Sequence, residues 1–305
     1  MPNVSVIIPT HNRPDRLRNA LHSVLDQTER DIEIFVIDDG SADDAAADVV
    51  AACRDARVIY IRLPVSLGPA AARNAGIVRA TASYIAFLDD DDEWLPEKLQ
   101  TQIAVLQQSE SHVGVVHTAC ITVDKIAGTI VTSRPSGAFD PGSGRNVITL
   151  SSVLMRRICF ERVGLFDEEL FGPEDFDLWI RIAAESFTFK YVDQPLVRYC
   201  IYGDGICQFV GRKLPQNVLN RKVYALERLI AKHRQMFESN RQGQCFLYMT
   251  LAERYCDVGD VSNQRKALRR AFRLWPFEPR IFWAFARSIV SEARVASTGL
   301  SAGQR

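Results

Sequence analysis

The residues best suited to chemistry are four consecutive aspartates, Asp89, Asp90, Asp91 and Asp92. They follow the apolar run Tyr84-Ile85-Ala86-Phe87-Leu88 and precede Glu93 and Trp94. Like charges this close repel, so the run costs stability unless solvent or a cation relieves it. Taken alone, an acidic run is more often a solvated turn than a site. Its position argues otherwise, because in open α/β sheets ligands bind beyond the carboxyl ends of the strands. There, Asp89, Asp91 and Asp92 form a D-x-D-D pattern suited to a hard divalent cation, magnesium or manganese, whose shell phosphate oxygens complete. Asp91 is the expected metal ligand. Asp89 and Asp90 can reach a ribose hydroxyl or a metal-bound water, and Asp92 finishes the turn.

Three further groups carry chemistry. Asp38-Asp39-Gly40-Ser41 closes an apolar run, and the Asp39 carboxylate could accept the N3–H of uracil or thymine; Asp-Gly-Ser is also ordinary turn chemistry. Arg73-Asn74 offers a guanidinium that forks onto phosphate or a carbonyl, or that pairs with a surface acid. Glu174-Asp175 offers a base for an attacking hydroxyl, or a cap for a helix N-terminus. Trp94 and Trp179 could give a sugar an apolar platform or could simply fill the core.

The elements that must position these groups alternate. Val4–Pro9, Ile32–Ile37, Val58–Ile61 and Tyr84–Leu88 are short, β-branched runs that read as strands buried on both faces. Helical stripes separate them: Leu17, Ala20, Leu21, Val24 and Leu25; the alanine-rich Asp43–Cys53, with Ser41 as its expected cap; and Ala70–Ala80. Strand–helix alternation implies right-handed crossovers and a mostly parallel sheet. Pro96 opens a helix to about Gln107, Val113–Val123 reads as a strand, and Lys125–Arg145 has little periodicity. Strands are then expected over Val147–Met155, Phe187–Val192 and Leu196–Tyr202, and helices over Arg156–Val163 and from Pro173. From about residue 211 strand signals vanish. Helices are expected over Val218–Phe237, Cys245–Cys256, Ser262–Leu274 and Arg280–Val290, with Leu251–Leu274 resembling one tetratricopeptide-like hairpin. The division is therefore a domain over 1–210, a helical extension over 211–295 and a disordered tail over 296–305.

The chain of 305 residues balances 37 Lys and Arg against 37 Asp and Glu, which gives no pointer to nucleic acid. The balance is uneven, with basic residues exceeding acidic ones by about 11 from Gly211 onward. Seven cysteines without a C-x-x-C pair read as reduced thiols of a cytoplasmic protein, and neither a leader pattern nor a membrane-length apolar run is present.

In order, the segments Val4-Ser5-Val6-Ile7-Ile8-Pro9-Thr10, Asp38-Asp39-Gly40-Ser41 and Ala72-Arg73-Asn74-Ala75-Gly76 resemble the family 2 glycosyltransferases. So do Phe87-Leu88-Asp89-Asp90-Asp91-Asp92, Gly164-Leu165-Phe166-Asp167-Glu168 and Glu174-Asp175-Phe176-Asp177-Leu178-Trp179. The resemblance covers about the first 200 residues. It implies a GT-A fold, an α/β Rossmann-like, mostly parallel mixed sheet flanked by helices, here with an α-helical C-terminal extension. It also implies inverting transfer of a sugar from a nucleotide-diphospho-sugar, UDP before dTDP, with a manganese or magnesium ion. Carried over, Pro9, Thr10 and His11 wall the nucleotide pocket with Arg13 and Gly40 beside them. Asp39 binds the base and Arg73 and Asn74 meet the nucleotide. Asp89 and Asp90 serve the ribose and metal region, Asp91 holds the metal and Asp175 is the base. Trp94, Glu174 and Trp179 face sugar or acceptor. His11 stands where the family often has Tyr, and Tyr202 where it often has His, which weakens the C-terminal side of the metal site because a neutral phenol is a poor magnesium ligand.

The acceptor is expected to be a glycan or a lipid-linked glycan in envelope polysaccharide assembly. Arg265, Lys266, Arg269, Arg270 and Arg273, beside Trp275, Phe277, Phe282 and Trp283, could hold the protein peripherally on an anionic cytoplasmic membrane face. Two rivals remain. A sugar-1-phosphate nucleotidyltransferase would need glycines that Pro9-Thr10-His11-Asn12-Arg13 lacks. A catalytically weak binding or adaptor protein would keep the fold and lose turnover.

Overall fold

The structure is a computed structural model that describes residues 2–133, 139–203 and 214–281. The expected tail over 296–305, most of the helix expected over 280–290, Phe282, Trp283 and Cys207 lie outside them. The chain forms two compact units. One comprises Met1–Phe139 and Asn146–Arg212; the other comprises Asp140–Arg145 and Lys213–Arg305, so a six-residue segment of the irregular stretch belongs with the helices.

The first unit is built on strands β1 (Val4–Thr10), β2 (Ile32–Asp38), β3 (Val58–Arg62), β4 (Tyr84–Phe87), β5 (Glu93–Trp94), β6 (Val113–Asp124), β7 (Thr129–Ser133), β8 (Leu154–Arg156) and β9 (Thr188–Ile201). Their order is β3-β2-β1-β4-β8-β6-β9-β5, with β7 on β6. Parallel pairs join β1 to β2 and β4, β2 to β3, and β6 to β9; antiparallel pairs join β8 to β4 and β6, β5 to β9, and β7 to β6.

Helices cover both faces because the central strands are apolar on both. From β1, Val4, Val6 and Ile8 enter one core with Leu17, Leu21 and Val24 of α1 (Pro14–Leu25), Val49 of α2 (Ala45–Cys53) and Leu99 and Leu106 of α4 (Lys98–Gln107). Ile7 points the other way, into a core with Ala72 and Ile77 of α3 (Pro69–Ile77), Phe160 of α5 (Ile158–Val163) and Leu178 and Ile182 of α6 (Glu174–Ala184). Gly76 permits this layer, since a Cβ there would stand 2.7 Å from Ile7 Cγ2.

Several expectations change. Ser41 does not cap α2, whose N-cap is Asp44; the Ser41 hydroxyl is spent on Asp38. The strand expected over 147–155 is a 3-10 turn at Leu150–Ser152 followed by the short β8, because the stretch closes buried polar side chains rather than a ladder. The two strands expected around Pro195 are one bent strand, β9, whose register on β6 shifts between Thr118 and Cys120 opposite Pro195; a residue without an N–H is tolerated at such an irregularity. Part of the aperiodic stretch after Lys125 is β7, an edge hairpin strand.

The second unit holds α7 (Gln216–Lys232), α8 (Arg234–Glu238), α9 (Arg241–Val258) and α10 (Val261–Leu274); the single helix expected over 218–237 breaks at His233. Asn240 and Asp260 accept the backbone N–H of Gly243 and Asn263, each at 2.9 Å, and so cap α9 and α10, which form a hairpin about Gly259.

Candidate active site

The register of three adjacent parallel strands assembles the site. Thr10 at the end of β1 lies beside Asp38 at the end of β2, and Ile7 lies beside Phe87 at the end of β4. The segments 10–13, 38–41 and 89–92 therefore emerge at one edge.

The four aspartates divide into distinct roles. The Asp90 carboxylate is buried; it accepts the Thr10 hydroxyl at 2.8 Å and Arg13 Nη1 at 3.3 Å. Thr10 thus supports Asp90 more directly than it walls a pocket. Asp92 is also buried; it accepts the Ser151 hydroxyl at 2.6 Å and the Cys200 backbone N–H at 3.0 Å. Asp91 accepts Arg13 Nη1 at 3.4 Å, and burial with the Asp89 and Asp90 charges pushes its carboxyl up to about 7. Asp89 is the most open, with a side chain 35% exposed, and pairs with Arg73 Nη2 at 2.6 Å. Oxygen atoms of Asp89, Asp91 and Asp92 lie within 4.8 Å of one another. An all-oxygen donor set in which burial and neighbouring carboxylates raise the Asp91 and Asp92 carboxyls fits a hard divalent cation. Asp92, read from the sequence both as part of the D-x-D-D pattern and as the end of the turn, lies in this cluster.

Arg73 joins the cluster to the second acidic pair. It is buried, its Nη1 donates to Glu174 Oε1 at 2.9 Å, and its Nε finds no partner among the described residues. Both guanidinium arms of Arg73, expected at the nucleotide, are engaged by carboxylates. Glu174 likewise holds geometry rather than facing an acceptor: its other oxygen accepts the Gly172 N–H at 2.8 Å. Asn74 is a stitch, its amide exchanging hydrogen bonds with the Phe166 backbone and reaching Glu168, which leaves no arm for a nucleotide.

Asp175, on the first turn of α6, accepts the Phe176 N–H at 2.7 Å and Asn146 Nδ2 at 2.8 Å. Burial, then the Glu174 charge, pushes its carboxyl up to about 7 against the opposing pull of Arg73 and Asn146. A carboxylate poised near neutrality suits proton abstraction.

Asp39 is buried and already accepts three hydrogen bonds: Ser66 Oγ at 2.8 Å, Leu67 N–H at 2.8 Å and Gly68 N–H at 2.9 Å. A carboxylate has about four acceptor positions, so one is left for a base. Gly40, at φ 66°, lets this loop close in, for a Cβ would stand 2.7 Å from the Val65 and Ser66 backbone. His11 accepts Asn12 Nδ2 at Nε2 and donates from Nδ1 to Asp39 O at 2.8 Å, with its ring exposed; Pro9 is buried.

Two aromatic expectations fall. Trp94 is buried, its Nε1 donates to Ser151 O at 2.8 Å, and Lys98 Nζ lies 4.0 Å from its ring centre. Trp179 is wholly buried against Phe189. Neither offers a face to a sugar, because both fall at core-facing positions of their elements. Tyr202, in the place of the usual His, lies beneath Arg16, whose guanidinium carbon is 4.1 Å from the ring centre. The spacing of motifs gave no sign of Asn146, Ser151 or Arg16; polar residues on an irregular stretch acquire roles only when the fold brings carboxylates to them.

Residues 5–137 match Glycosyl transferase family 2. An uncharacterized glycosyltransferase of Rickettsia conorii is 35% identical over 228 residues, 73% of this chain and 37% of that one. The amylovoran biosynthesis glycosyltransferase AmsB of Erwinia amylovora is 28% identical over 207 residues, 64% of this chain and 68% of its own. The chain spans about a third of the length of the Rickettsia bellii, conorii and felis relatives, 32–37%. Among solved structures, TarS of S. aureus superposes with a TM-score of 0.61 at 15% identity, covering 95% of this chain and 54% of that one. The mannosyltransferase PcManGT of Pyrobaculum calidifontis, in complex with GDP-Man and Mn2+, gives 0.62 at 17% identity, covering 96% and 86%. These likenesses show the GT-A fold. Residues 5–137 of this chain therefore form a glycosyltransferase family 2 domain.

Proposed function

We propose that the protein transfers a sugar with inversion from a nucleotide-diphospho-sugar, with UDP the carrier, to a hydroxyl of a growing or lipid-linked glycan. The observation that carries this reading is the Arg73 bridge, 2.6 Å to Asp89 and 2.9 Å to Glu174. It joins an all-oxygen acidic cluster to the helix start that bears the base-type carboxylate Asp175, the pairing that displacement at a sugar carbon requires. Relatives support it: AmsB is named for amylovoran biosynthesis, and TarS has been solved in complex with UDP-GlcNAc.

Asp91, with Asp89 and Asp92, would hold a manganese or magnesium ion. Such an ion supplies charge neutralisation for the departing diphosphate. The chain does the rest. Arg13 and Arg16 bring positive charge to the rim of the cluster. Pro9, His11 and the remaining acceptor position of Asp39 bound the base site, and this single position is what favours a pyrimidine N3–H. Asp175, held at both oxygens by Asn146 and the Phe176 amide, takes the proton of the acceptor hydroxyl as that oxygen attacks. Glu174 and Arg73 fix the start of α6 so that Asp175 keeps its aim.

The test is a screen of UDP-, dTDP- and GDP-sugars for manganese-dependent hydrolysis and transfer. Turnover of a UDP-sugar that Asp175→Asn abolishes, with donor binding retained, is expected. Nucleotide binding without turnover of any donor favours a binding or adaptor protein. Absence of both ends the reading.

A further inference from the structure

On α10, Lys266, Arg269, Arg270 and Arg273 are exposed and recur at helical spacing, so they occupy one stripe. The opposite face, Gln264, Ala267, Leu268 and Ala271, is buried against the rest of the helical unit. No acid lies within α10. None of the four cations makes an ion pair among the described residues; Lys266 donates to Asn263 Oδ1, and Arg270 lies over the Tyr248 ring at 4.6 Å. Acids near them in sequence are engaged elsewhere: Asp257 with Arg254, Asp260 with the α10 N-terminus and Glu278 with Arg280. The four cations and Leu274 line a shallow hollow of about 540 Å³. Beyond the helix end, Phe277 is 81% exposed, and Phe272 on the flank of the stripe is 41% exposed.

We infer that this stripe is a docking surface for an anionic lipid bilayer. Four cations on one helix face, without an ion pair among the described residues, attract a negatively charged headgroup layer. Exposed rings beside them decide between a bilayer and a soluble polyanion. Phenyl groups gain by entering the boundary between headgroups and acyl chains, and a polymer phosphate chain offers them nothing comparable. No helix among the described residues is long and apolar enough to cross a membrane. The inference is independent of the transferase reading, because none of these residues belongs to the strand-end site.

The test is co-sedimentation of the full chain with vesicles of phosphatidylcholine alone or mixed with phosphatidylglycerol, at low and high salt. Binding should need phosphatidylglycerol and weaken with salt. Arg269→Glu/Arg270→Glu/Arg273→Glu should lower the partition coefficient by about a hundredfold or more, at roughly a fivefold loss per basic group, without changing helical content. The milder Lys266→Gln/Arg273→Gln should lower it by about tenfold or more, and Phe277→Ser should weaken it further. The inference is overturned if the wild type ignores phosphatidylglycerol vesicles, if the charge variants bind as well as the wild type, or if the protein binds dextran sulfate but not vesicles.

Discussion

Replacing Asp175 by Asn should abolish transfer and also stabilise the fold, by an amount that grows with pH. The Asp175 carboxyl titrates at about 7 in the folded protein against 3.8 for a free aspartate, chiefly from burial and the Glu174 charge. Because the folded value is the higher one, the folded state binds the proton more tightly than the unfolded chain. Ionised Asp175 therefore opposes folding. The penalty is negligible near pH 4, grows through pH 4–7 and is complete above 7. A shift of about three units corresponds to about 4 kcal/mol at its limit. Solvent screening at the rim, and the new side-chain amide set against the Asn146 amide, should reduce this by about half. The expected gain is about 2 kcal/mol at pH 8 and negligible near pH 4. Urea unfolding of both proteins across this range measures it, and donor hydrolysis follows the loss of activity. A difference that is constant with pH, or a variant less stable at pH 8, would refute the placement of a proton-hungry carboxylate here. Retained transfer would remove Asp175 as the base.

Arg73→Met should cost about 3–5 kcal/mol, read as a lower urea midpoint, because it leaves buried Glu174 without its cation. It should also raise the Asp175 value and move the alkaline-rising limb of activity to higher pH. Asn146→Ala removes the 2.8 Å donor to Asp175; kcat should fall with KM little changed and the same limb should shift upward, while Asn146→Gln restores part of both if its amide reaches. Asp91→Asn should weaken Mn2+ binding by about tenfold or more, on the order expected for loss of a carboxylate ligand, as followed by electron paramagnetic resonance. Gly243→Ala should destabilise the helical unit by about 2 kcal/mol or more, since its Cβ would stand 1.9 Å from Gly142 O; unchanged thermal unfolding would count against that packing.

The strand–helix alternation, the segments that end at the site and the identity of its acids are legible in the chain alone. Continuous β-branched runs such as Val4–Thr10 leave no partner but a sheet covered on both sides, and each run ends in the residues that must then share one edge. Which polar atoms are already spent emerges from the folded arrangement. Arg73 and Asn74 look like ligand-binding residues as a pair, yet one is consumed by Asp89 and Glu174 and the other by the Phe166 backbone. Trp94 and Trp179 were equally plausible as platform or core until their rings proved enclosed. Asp39 kept one acceptor position where the sequence suggested a whole carboxylate, because the loop at 66–68 folds back onto it. Asn146 and Ser151 carry no signal in the chain, since their importance arises from contacts across 29 and 59 residues. Local sequence specifies periodicity and charge, whereas the saturation of a hydrogen-bonding group depends on neighbours that only chain closure supplies.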